Sequence, residues 1–222
     1  MDFILRSVEH NEYLTYLIIG SLAILTSIKI LYTYQFSDFL EVLANGKYFL
    51  LHNKGDKKGN LFNYLFYVFF ALNATVFTYI TLGKLGHLTS KDNKTIIIII
   101  LLINIYFISK YFIEKIIFEI LDLNSTYENF NFQRLTSLNF ISLFMLLLNI
   151  ILLYVNTNPS IFFIYACIGF LLFIYLISVI LITLYNQKLF LKHWFYIILY
   201  LCALEISPFL IGAIFLLTNI LK

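Results

Sequence analysis

The chain has 222 residues, 61% hydrophobic and 19% aromatic, with only 12% charged and a formal net charge of +3. Soluble domains carry about 25% charged residues, and a soluble fold of this length could not hide so much apolar surface. A soluble globular domain is therefore excluded, and no basic patch of the nucleic-acid-binding type appears.

The apolar residues come in blocks. Ile96–Ile103 is an unbroken aliphatic run, and Ser160–Tyr185 contains no charge. About 20 apolar residues span a bilayer core of roughly 30 Å. In chain order the predicted spans are Tyr13–Tyr34, Leu61–Leu82, Thr95–Leu121, Leu138–Val155, Ser160–Tyr185 and Trp194–Leu221. The expected fold is an all-α polytopic membrane bundle, with residues 1–222 forming a single transmembrane domain. The start, MDFILRSVEHNE, mixes acids with one arginine, and the first apolar block is too long for a signal-peptide core, so no cleavable leader is expected.

After the first span, Phe36, Phe39, Leu40 and Leu43 fall on one helical face with Asp38 and Glu41 off it. That pattern predicts a short interfacial amphipathic helix. Residues 52–60, HNKGDKKGN, read as a solvated loop. The third span runs on into Lys110, Glu114, Lys115 and Glu119, where Lys110–Glu114 and Lys115–Glu119 are both i,i+4 pairs. This reads as a helix emerging into water with a salt-bridged surface, the alternative being a charged mouth on a pathway. The connector Asn124–Thr136 is polar and aromatic, and Arg134 stands just before the fourth span. NTNPS, residues 156–160, joins the fourth and fifth spans as an antiparallel hairpin.

Orientation follows from Lys and Arg at the span ends. Arg6, Lys84, Lys91, Lys94 and Lys222 fall on the N-terminal side; Lys47, Lys54, Lys57, Lys58, Lys115, Arg134, Lys188 and Lys192 fall on the other, joined by Lys29 and Lys110 near the same end. The excess places both termini on the non-cytoplasmic side. The loop lysines are also contacts for anionic lipid.

With that threading, the rise per residue gives depth. Glu205 lies about 16 Å from the cytoplasmic edge, Asn73 about 18 Å and Asn149 about 16 Å, while Asn104 is near mid-depth from the opposite side. An ionisable group within a span is a functional-site hypothesis by default. One acid and three amides in one layer form the candidate site, since amides can hydrogen-bond Glu205 in either protonation state. Each asparagine, taken singly, is also the kind of residue that ties membrane helices together. Pro208 has no N–H, so the carbonyl of Leu204 loses its helical partner and a break is expected beside Glu205. Lys29 and Lys110 are secondary candidates, both able to snorkel to the membrane edge.

His10, His52, His87 and His193 all lie outside the span interiors, and Asp2, Asp38, Asp56, Asp92 and Asp122 lie in loops or at span ends. Neither a zinc-protease HExxH nor a nucleophile-elbow GxSxG occurs. Cys167 and Cys202 sit in apolar blocks and read as small hydrophobes. No cofactor or metal is expected, and the reading leans away from an enzyme.

The stretch FYIILYLCALEISPFL, residues 195–210, carries Leu199, Tyr200, Leu201, Cys202, Leu204, Glu205 and Pro208. It resembles the signature of an uncharacterised polytopic membrane protein family of Bacteroidota, a domain-of-unknown-function family. The resemblance implies a bacterial inner-membrane location and no particular activity. The first expectation is thus a non-enzymatic accessory or assembly subunit of a cell-envelope system, its partners the lipid bilayer and another membrane protein or a second copy. The alternative is a small proton-coupled transporter with Glu205 as the titrating group. An intramembrane enzyme acting on lipid ranks third.

Overall fold

The computed structural model describes residues 12–40, 57–86, 93–120, 124–155 and 159–185. Among the described residues the regular structure is wholly helical. α1 spans Glu12–Leu31, α2 Thr33–Leu40, α3 Lys57–Lys84, α4 Asn93–Ile120, α5 Asn124–Ile150 and α6 Ile161–Tyr185, with a π-helix at Ile151–Val155 continuing α5. Five helical stretches are long and apolar enough to cross a membrane: Glu12–Leu31, Leu61–Lys84, Lys94–Ile120, Asn131–Val155 and Ile161–Ile182. They coincide with the first five expected spans. The sixth expected span, 194–221, lies outside the described residues.

α3 is the central helix. It packs against α1, α4 and α5, and 67% of its membrane-length window is buried, against 17% for α4. The sequence of α3 explains its place. Ala71 and Ala74 are small, and Thr75, Thr78 and Thr81 return their hydroxyls to carbonyls of Ala71, Ala74 and Phe77 on the same helix. Back-bonding of this kind satisfies a buried hydroxyl without a neighbour. The helix ends at Lys84, where Leu85 N–H still donates to Thr81 O at 3.0 Å. Gly86 then takes φ of 77°, the left-handed turn that closes many helices and suits glycine.

Tyr32 bends the chain between α1 and α2 without leaving hydrogen-bonded structure. Its N–H donates to Ile28 O, and Phe36 N–H donates to Tyr32 O. α2 is the short helix expected after the first span, and its aromatic side is seated in the bundle. Phe39 is fully buried, with ring centroids 4.8 Å from Phe66, 6.1 Å from Phe62 and 6.2 Å from Phe140. Phe36 stacks on Phe66 at 6.3 Å, while Leu40 stays exposed. Ring pairs at these separations add about 0.5–1.5 kcal/mol each beyond their area, so three helices are pinned at one level.

Two boundaries correct the sequence expectation. Residues 57–60, read as loop, are the first turn of α3. The connector from Asn124, read as a link to a span beginning at Leu138, is helix from its first residue. The reason is visible in burial. Gln133, Arg134, Thr136 and Ser137 are all buried, so polarity here faces protein and not water. Hydropathy averages over the helix circumference and ends the span too early.

α5 and α6 form the expected hairpin. Phe144 meets Phe170 at 5.8 Å, two positions nearly equidistant from the turn. Ser160 caps α6: its hydroxyl oxygen accepts from Phe163 N–H at 3.3 Å.

Candidate functional site

Asn73 and Asn149, expected at one depth, meet. Asn149 Nδ2 donates to the main-chain carbonyl of Asn73 at 3.0 Å and lies 3.5 Å from Asn73 Oδ1. Asn73 Nδ2 turns back to Phe69 O at 2.9 Å. Both residues are buried, at 1% and 0% exposure. The contact joins α3 to α5 seventy-six residues apart in sequence.

Asn104 takes other partners. Tyr67 donates its hydroxyl to Asn104 Oδ1 at 3.0 Å, and Asn104 Nδ2 donates to Ile100 O at 2.8 Å. Phe70 and Phe107 pack beside this bond at 5.1 Å. Asn104 thus ties α4 to α3 on a different side from Asn149. Glu205 and Pro208 lie outside the described residues.

Lys29 is exposed in the last turn of α1, where a cation meets the negative end of the helix dipole. Lys110 is buried, which corrects the expectation that it snorkels outward. Its Nζ is 3.9 Å from Glu114 Oε1, and Glu114 is itself fully buried. The helix therefore does not emerge into water at Glu114. Arg134, at the start of the apolar part of α5, forms an ion pair with the other carboxylate oxygen of Glu114. Arg134 also donates to Asn131 Oδ1 at 3.1 Å. Lys115 and Glu119 are exposed, so the charged turn has one buried edge and one outward edge.

The Lys110–Glu114–Arg134 cluster is the polar feature that the sequence reading missed. In the sequence Glu114 reads as a member of a surface pair and Arg134 as a topology signal. The sequence did hold a clue. α4 and α5 are adjoining helices with a short connection, so charges of opposite sign at similar distances from that connection face each other. The cluster brings two cations to one carboxylate and fixes α4 against α5.

Further hydroxyls follow the same inward rule. Ser142 donates to Asn139 O at 2.5 Å, and Ser137 to Gln133 O at 3.1 Å. Asn139, Ser142 and Asn149 share a face of α5 by their spacing of three and seven, and all are at most 2% exposed. At the far end, Tyr154 in the π-helix donates to Thr15 Oγ1 at 3.0 Å, tying it to α1. Among the described residues no group of three or more His, Cys, Asp or Glu side chains converges.

Among protein families, a model described as a domain of unknown function, DUF4271, matches residues 14–216. No curated protein and no solved structure matches the chain.

Proposed function

Because the chain belongs to the DUF4271 family and its described helices are of membrane length, we propose that it is a non-enzymatic accessory or assembly subunit of a cell-envelope system, resident in a bacterial inner membrane. One observation carries the reading. Polar side chains within the described spans join helices at several points: Asn149 to Asn73, Tyr67 to Asn104, Glu114 to Arg134 and Tyr154 to Thr15. α4 meanwhile turns a broad apolar surface outward, with Ile97, Leu101, Ile105, Ile108 and Phe112 all exposed. A rigid body with an outward helix suits a protein that works by association within the bilayer. Purification from native membranes in mild detergent should recover a stoichiometric membrane partner. Repeated recovery of the chain alone overturns this reading.

A second reading, a small proton-coupled transporter with Glu205 as titrating group, is favoured by Glu114. A fully buried carboxyl group lies between Lys110 and Arg134, so this bundle holds ionisable side chains away from its surface. Buried acids and interrupted helices are how many carriers build sites. The purified chain in proteoliposomes should then dissipate an imposed pH gradient, and Glu205→Gln should abolish this while leaving the protein folded. Undiminished proton flux in that variant removes Glu205 from the mechanism.

A further inference from the structure

We infer that Asn73 and Asn149 build an internal water site between α3 and α5, beside the π-helix. The inference is independent of either functional reading. Asn149 Oδ1 is buried and has no hydrogen-bond partner among the described residues. The donors of the two amides are directed elsewhere: Asn149 Nδ2 to Asn73 O, and Asn73 Nδ2 to Phe69 O. What remains at the junction is a pair of amide oxygens. Asn149 Oδ1 has no partner, and Asn73 Oδ1 has a 3.5 Å contact with Asn149 Nδ2. The buried Asn149 Oδ1 calls for a donor. A buried polar atom left unpaired costs about 1–3 kcal/mol, and a water bound there can donate to Asn149 Oδ1.

Chemistry selects water over a cation. Both oxygens are uncharged, and the charged cluster at Lys110, Glu114 and Arg134 contributes a second cation and not a spare anion. A metal ion between the amides would bring a charge to the bundle interior without a counterion beside it, which is costly. The backbone also favours a small guest. α5 widens into the π-helix at Ile151, two residues beyond Asn149, and single π-turns loosen the side-chain register locally. Buried waters typically serve such otherwise unsatisfied groups.

The test is radiolytic hydroxyl footprinting of the full chain in lipid nanodiscs, since radicals born from a bound water oxidise the side chains next to it. Phe69 lies one turn from Asn73, and Leu146 and Leu152 flank Asn149 by three residues each; all are at most 5% exposed. Phe62, at 1% exposure in the aromatic cluster, is the dry reference. Phe69, Leu146 or Leu152 should be oxidised several-fold faster than Phe62, and Asn149→Leu should remove the difference. Should that variant not fold, the wild-type comparison decides alone. Rates equal to that of Phe62 overturn the water site. Labelling that appears only when sodium is replaced by choline overturns it as well, and assigns a cation.

Discussion

At the scale of single residues, Glu114 and Arg134 show why polarity inside a membrane protein cannot be read as exposure. A buried pair contributes little relative to a well-packed apolar replacement, but removing one partner strands the other charge. Glu114→Met, which takes the shared carboxylate from both Lys110 and Arg134, should therefore destabilise the protein by about 3–5 kcal/mol, read as a fall in melting temperature in detergent. Arg134→Met leaves Glu114 beside Lys110 and should cost less. An Arg134→Met variant less stable than Glu114→Met would show that Lys110 does not compensate the carboxylate. The amide bridge is weaker. Asn149→Leu should cost about 0.6–2 kcal/mol, the usual range for a hydrogen bond between membrane helices, and Tyr67→Phe should fall in the same range. The depth argument put Asn73 and Asn149 at similar depth, and a hydrogen bond joins them. It could not say that Asn104 turns to Tyr67, because depth along a helix axis carries no information about which side of the neighbour a residue meets.

At the scale of elements, α2 matters more than its eight residues suggest. Phe39 sits among Phe62, Phe66 and Phe140, so Phe39→Ala should cost about 3–5 kcal/mol. Tyr34 on the same helix is 89% exposed, and its alanine variant should change stability by less than about 0.5 kcal/mol. Equal melting shifts for the two would mean that α2 does not pin the bundle. The apolar period of Phe36, Phe39 and Leu40 was legible in the sequence, whereas the direction in which that face turns was not. Lipid headgroups and an aromatic core both accept an apolar helix face, so the pattern alone does not choose between them. α5 errs the other way. Its helix begins at Asn124, and Gln133, Arg134, Thr136 and Ser137 are buried before the apolar run starts.

At the scale of the whole molecule, topology is the property most open to direct measurement. Lys110 and Arg134 are engaged in the buried cluster. Setting them aside still leaves eight basic residues on the cytoplasmic side of the threading, against five opposite. A C-terminal alkaline phosphatase fusion should accordingly be active and a fluorescent-protein fusion dark, while a phosphatase inserted in residues 52–56 should be inactive. The reverse pattern would invert the membrane orientation. Composition and hydropathy by themselves determined the class and the number of described spans, because water-to-lipid transfer is a sum over residues that needs no knowledge of neighbours. Only the tertiary structure decided that α3 is central, that Phe39 turns inward, that Asn149 reaches Asn73 and that Glu114 is shared between Lys110 and Arg134. Those outcomes depend on which helix faces touch, and pairing between elements is a property of their relative rotation, which no single helix encodes.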